Sequence, residues 1–266
     1  PMTTRPPAVA GSFYPASPAA LASMVDELLA AARPKMPGGP TKALVSPHAG
    51  YIYSGSTAAL GFATLHPENH PIERVVVACP THRVGVAAVA LPGVDAFATP
   101  LGEVRVDVEA LAALAGFPQV STRPDVHADE HALEVQLPFL QRVLGDFDLV
   151  PLAVGEVAPD RVAEVLEAVW GGPETLIVIS SDLSHYLPYA RARELDRATV
   201  DAILACRVPI GERAACGVRP LNGFLTAASR RRLRPTLLGM CNSGDTAGDR
   251  SRVVGYASIA WHEGVA

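Results

Sequence analysis

Three short apolar runs, Ala43-Leu44-Val45, Arg74-Val75-Val76-Val77-Ala78 and Thr175-Leu176-Ile177-Val178-Ile179, each stop at a turn-rich break that carries a histidine. The breaks read Ser46-Pro47-His48-Ala49-Gly50, Pro80-Thr81-His82-Arg83 and Ser181-Asp182-Leu183-Ser184-His185. β-Branched runs bounded by Gly, Pro and Ser are strand signals. Strands are expected at 42–46, 74–79, 84–91, 102–106, 147–154, 175–180, 234–240 and 252–261. Helices are expected at 54–65, 107–115, 128–144, 159–170, 188–205 and 219–232, after a first helix that Ser17 can cap and Pro18 can open. Alternation of the two predicts a single α/β domain over 1–266, with a central sheet flanked by helices on both faces. Only a Gly/Asp/Ser loop separates the last two strands, so they are expected to pair antiparallel, making the sheet mixed but mostly parallel.

In open α/β sheets, ligands bind beyond the carboxyl ends of the strands. Histidines arriving there from separate strands can converge on one metal ion, and neutral imidazole suits Zn, Fe, Cu or Ni. Asp182 and His185 are three apart and share a face if the chain turns helically after Ser181, so Asp182 can orient His185 or cap a helix. His185 then ligates a metal or moves protons. Cys216 opens a Gly/Pro turn before a helix, and Cys241 sits at another strand end; the residues alone leave these two tied as a thiolate ligand. Cys79 and Cys206 read as core. His127-Ala128-Asp129-Glu130-His131 matches the H-x-x-E-H peptidase pattern, but Pro124 puts His127 at or before the first helical turn. Glu130, His131 and Glu134 are candidate pocket residues or solvated helix-start residues.

With 49% hydrophobic and 18% charged residues and a net charge of −5, the 266 residues build a core and offer no basic nucleic-acid surface. The Arg230-Arg231-Arg232 triplet closes a helix, where cations favour the dipole. No apolar run approaches the roughly 18 residues of a membrane span, and the first residues lack a signal-peptide core. The four cysteines form no CxxC pair or disulfide framework. A cytoplasmic protein is expected.

Six segments together resemble the Memo family, whose bacterial and archaeal members are called AmmeMemoRadiSam system protein B. They are Arg5-Pro6 with Ala10-Gly11-Ser12-Phe13-Tyr14-Pro15, Ser46 to Tyr51, Pro80-Thr81-His82, Glu130 to Pro138, Ser180 to His185, and Cys216-Gly217 with Pro220. The family is similar in fold to the class III extradiol dioxygenases, which hold non-haem iron through two histidines and a glutamate. By that resemblance His48 and His82 take the places of the histidine ligands and His185 that of the acid/base histidine. Cys216 stands where the dioxygenases have the carboxylate, which raises it above Cys241. A His₂Cys set is softer, so zinc or copper suits it as well as iron.

The resemblance implies one divalent transition metal, iron first, and an oxidoreductase acting on an unidentified small molecule. His185 and Asp182 are its catalytic candidates, and Phe13, Tyr14, Tyr51, Glu130 and His131 its pocket. The alternatives are a zinc-dependent hydrolase and a binding protein that keeps the cleft without turnover. The family name also implies functional association with AMMECR-type and radical-SAM proteins.

Overall fold

The structure, a computed structural model, describes residues 2–264. Its elements are β1 (Thr4–Arg5), α1 (Pro18–Ala31), β2 (Thr41–Ser46), α2 (Tyr51–Phe62), β3 (Arg74–Pro80), β4 (Val89–Leu91), β5 (Ala96–Thr99), β6 (Gly102–Arg105), α3 (Val108–Leu114), β7 (Val120–Thr122), α4 (Pro124–Ala128), α5 (His131–Glu134), α6 (Leu137–Leu144), β8 (Asp148–Val154), α7 (Pro159–Ala168), β9 (Thr175–Ser180), β10 (His185–Leu187), α8 (Tyr189–Leu204), α9 (Val218–Arg230), β11 (Arg234–Asn242) and β12 (Val253–His262).

β2, β9, β3 and β8 lie side by side in that order, all parallel. β4 joins β8 antiparallel and carries β7. At the other side β12 runs antiparallel to β2 and pairs antiparallel with β11 and β10. The sheet is mixed, as expected, with a parallel centre of four strands and antiparallel pairing at both sides. β1, β5 and β6 form a separate three-stranded sheet.

Side chains alternate across a strand, and the parallel strands divide two cores accordingly. Ala43, Val45, Val76, Ala78, Val150, Leu152, Ile177 and Ile179 pack with residues of α7, α8 and α9 on one face. Leu44, Val75, Val77, Cys79, Leu149, Ala153, Leu176 and Val178 pack with α1, α2, α5 and α6 on the other. Both faces of each central strand are thereby buried, as an α/β sheet requires.

Ser17 caps α1 through a bond from the Ala20 amide, as expected. Two expectations fail. The helix of 128–144 is three pieces: α4 stops before Asp129, Glu130 caps α5, and Gln136-Leu137-Pro138 restarts the chain as α6. The strand of 84–91 shrinks to β4, and the next strand, β5, leaves the central sheet to pair with β1 and β6. No helix among the described residues is long and apolar enough to cross a membrane.

Candidate metal centre

β2, β9 and β3 are adjacent and parallel, so the loops beyond Ser46, Ser180 and Pro80 open at one edge of the sheet. His48, Asp182 with His185, and His82 hang from these loops in that order. Cys216 comes from the loop before α9 and is pinned to the end of β9. Its amide donates to the Asp182 carbonyl at 3.3 Å, the Asp182 amide donates to its Sγ at 3.3 Å, and the Gly217 amide donates to Ser181 Oγ at 2.9 Å. A Cβ on Gly217 would come within 2.6 Å of the Ser180 carbonyl oxygen, so only glycine lets the loop approach this closely.

His48, His82 and Cys216 each offer a donor atom within 4.8 Å of the others. Cys216 Sγ lies 3.2 Å from His48 Nε2, and the two imidazole rings are 5.2 Å apart edge to face. Cys241 is elsewhere, with its Sγ 3.0 Å from Thr57 Oγ1.

The hydrogen bonds fix which ring nitrogens are free. Ser180 Oγ has one hydrogen, and the Ala132 carbonyl at 2.5 Å can only accept it. Ser180 Oγ must then accept from His48 Nδ1 at 2.9 Å, so Nε2 keeps its lone pair toward Cys216. Gln136 Nε2 donates to Ser180 Oγ and to the Pro47 carbonyl. His82 Nδ1 donates to Glu130 Oε1 at 2.8 Å, leaving its own Nε2 free. Glu130 is held in turn by the His82 and Ala132 amides. A carboxylate or hydroxyl behind each ligating histidine is the arrangement that orients a metal-binding ring. Neither Ser180 nor Gln136 is a candidate from the sequence, where the one signal is a polar residue closing an apolar strand.

Burial holds the His48 imidazole down to about 3, with the neighbouring His82 adding to it, so the ring is neutral at pH 7. Burial would raise Glu130, but the hydrogen bond and charge of His82 outweigh it and bring the carboxyl to about 2. Burial and then the Asp182 charge push the Cys216 thiol up. A cation beside the sulfur reverses that balance, since metal coordination deprotonates a thiol. Two imidazoles whose Nδ1 atoms are engaged by Ser180 and Glu130, and one thiol, form a donor set that fits a transition-metal ion.

A cleft of about 690 Å³ opens over these residues, walled by Phe13, Tyr53, His131, His185, Tyr186 and Tyr256 among others. His131 stacks on His82 at 4.8 Å, and burial, then His48, lowers it to about 4.

The structure corrects several expected pocket roles. Asp182 does not orient His185: no helix follows Ser181, Asp182 Oδ1 accepts the His48 amide at 2.8 Å, and His185 Nδ1 donates to the Leu183 carbonyl at 2.9 Å. Tyr14 and Tyr51 do not reach the cleft. Both are buried, Tyr14 bonded to Glu134 and Tyr51 to the Val135 carbonyl. Glu130 stands behind His82 rather than in the cleft wall. His127 lies on α4, bonded to the Ala90 carbonyl, so the H-x-x-E-H histidines sit on separate helices and form no pair.

A family profile described as Memo-like protein matches residues 5–260. The chain belongs to the Memo-like family. It is 37% identical to a MEMO1 family protein of Archaeoglobus fulgidus, over 97% of this chain and 99% of that one. It is 39% identical to a MEMO1 family protein of Methanosarcina acetivorans, over 97% and 99%. A MEMO1 family protein of Methanopyrus kandleri is 37% identical over 98% and 99%.

The Memo-like segments divide between two tasks. Those at 46–51, 80–82 and 216–220 carry the donor set, and that at 180–185 supplies Ser180 and Asp182, which bond to His48, with His185 nearby. Those at 5–15 and 130–138 hold each other. Arg5 pairs with Glu134 in the interior and donates to the His127 and Glu130 carbonyls at 3.1 and 2.7 Å. Glu134 also accepts from the Ala8 and Val9 amides and from Tyr14 Oη. It is therefore a fully used structural carboxylate and no pocket residue.

Proposed function

We propose that this Memo-like protein binds one transition-metal ion through His48 Nε2, His82 Nε2 and Cys216 Sγ and is a metal-dependent oxidoreductase for a small molecule. The observation that carries the reading is the convergence of two free imidazole nitrogens and a thiol, the two imidazoles lining a cleft that His185 also lines. A bound redox-active ion such as iron supplies electron transfer between a substrate and an oxidant.

The chain's own residues supply the rest. Ser180 and Glu130 hold the two rings by their Nδ1 hydrogens, so no reorientation is needed when the site fills. His185 donates from Nδ1 to the Leu183 carbonyl, which leaves Nε2 to take a proton from a substrate hydroxyl and return it. Phe13, Tyr53 and Tyr256 line the cleft and give it apolar wall for a small molecule.

The test is elemental analysis of protein purified anaerobically without a histidine tag, beside His48→Ala, His82→Ala and Cys216→Ala. Near-stoichiometric iron that the variants lose, with oxygen uptake on some small phenolic or enolic compound, supports the reading. Zinc lost in the same variants moves the chemistry to hydrolysis. Absence of metal from folded wild-type protein removes the ligand assignment and leaves a binding protein.

A further inference from the structure

Strand β10 carries a bulge. His185 pairs with Val254 and Leu187 with Val253, so Tyr186 is the extra residue between them. Its φ is 61°, in the left-handed region that a bulky aromatic adopts at a cost. Burial does not offset that cost, because Tyr186 is 61% exposed. A bulge beside a site re-aims a side chain. Here it sets the Tyr186 ring on the cleft wall, 5.7 Å from the His185 ring and edge to face with it. The Arg252 guanidinium lies 5.1 Å over the Tyr186 ring.

Among the described residues neither Arg252 nor Arg83, the other arginine of the cleft, is paired with a carboxylate. Asp249, the exposed carboxylate there, is taken by the Ser251 amide at 2.7 Å and by its hydroxyl. Asp182 is buried and accepts the His48 amide. The exposed rim therefore carries two positive charges, Arg83 and Arg252, and one negative, Asp249. That surplus suits a single carboxylate better than a dianion. The two arginines stand apart. Arg252 precedes β12 and Arg83 follows β3, with β2 and β9 between those strands. Three strand spacings separate their backbones by roughly 14 Å, beyond the Debye length of about 8 Å at physiological ionic strength.

We infer that the cleft selects a small phenol or enol bearing one carboxylate, and that Arg252, seated on Tyr186, is the residue that reads the carboxylate. The inference rests on the cleft being a substrate site, as the proposed function has it. A guanidinium offers a carboxylate two parallel N–H donors, and the cation–π contact holds the Arg252 fork in place. A molecule anchored there lies on the side of the cleft where His185 stands.

The full chain, with its metal content measured, is titrated anaerobically with 4-hydroxybenzoate and with its neutral counterpart 4-hydroxybenzamide. Ligand-observed NMR reads both affinities, and circular dichroism checks that each variant folds. Wild type is expected to bind the carboxylate about 10-fold more tightly, as a charge-assisted hydrogen bond supports, and the preference should shrink as salt is raised. Arg252→Gln should bring the two probes within about 2-fold of each other. Tyr186→Gly, which keeps the backbone angle without strain, should cut the preference about 3-fold through loss of the cation–π contact. Arg83→Gln should leave the preference within about 2-fold of wild type. Equal affinities in wild type, binding of neither probe, or a preference that Arg252→Gln retains overturns the inference; the last is the result if the carboxylate sits on an ion instead. The metal content reads the proposed function separately. A preference in metal-free wild type upholds the carboxylate site while that function falls, and bound metal without a preference does the reverse.

Discussion

Among single residues, Glu130 does the most that its position in the chain hides. Its carboxylate holds His82 by ring and amide together and caps α5. Glu130→Gln places an amide group where two backbone N–H donors and a ring N–H now converge, so one of those bonds is lost. Metal affinity is expected to fall about 10–100-fold, measured by competition with a chromogenic chelator; unchanged affinity would mean that His82 is not a ligand. His127 bears on stability instead. Burial lowers its pKa to about 4 from an ordinary 6.5. Between those values the unfolded chain binds a proton that the folded chain refuses, so stability falls as pH drops from about 6.5 to 4 and is full above 6.5. The loss is on the order of 2–3 kcal/mol. Urea melts at pH 7 and 4.5 should show a smaller loss in His127→Gln, which keeps a donor for the Ala90 carbonyl. An equal loss in both proteins would assign the effect to other groups.

Between elements, the N-terminal segment and α5 depend on one ion pair. Glu134→Ala leaves the Arg5 guanidinium buried without its carboxylate, a defect that destabilises by about 3–5 kcal/mol. It also frees the Ala8 and Val9 amides. Chemical denaturation should show the loss, and limited proteolysis should cut first near residues 5–14; a variant as stable and as resistant as wild type would contradict this account. The same elements mark how far local sequence reading reaches. Strands β2, β3, β8 and β9 are legible because each is a short, largely apolar run, β-branched in β3 and β9, closed by a turn. The His48, His82 and His185 loops are legible because those turns carry them. The break of 128–144 is hidden because Asp129, Glu130 and Pro138 are all tolerated at helix starts, and only the demand of His82 for a carboxylate sets Glu130 at a cap. Asp182 looks like a helix cap or an orienter of His185, and it is neither, because the chain after Ser181 runs beside β12 instead of coiling. Tyr14, Tyr51 and Glu134 look like pocket residues for a related reason: polar groups that bond to each other in the interior read the same in a sequence as polar groups that face a ligand.

Over the whole molecule, one ion would join loops that follow two strands and precede one helix. Binding to the folded chain alone adds about 2.7 kcal/mol at an ion concentration a hundred times the dissociation constant. For a chain of this size each kcal/mol raises the melting temperature by about 2–4 °C. The melting temperature of wild type is therefore expected to rise by about 5–10 °C on adding the ion, and that of Cys216→Ala to stay within about 2 °C of its own metal-free value. Scanning fluorimetry reads both, and equal rises would place the ion elsewhere.

Cys216 stands 168 positions after His48, which it meets at 3.2 Å. A ribosome adding about 5–20 residues per second makes the sulfur about 8–34 s after the imidazole. Throughout that interval the nascent chain carries His48 and has no thiol at position 216 to go with it. Loading at the donor set therefore marks a chain whose synthesis has passed residue 216, and a chain stalled before that point is expected to leave the ribosome without its ion.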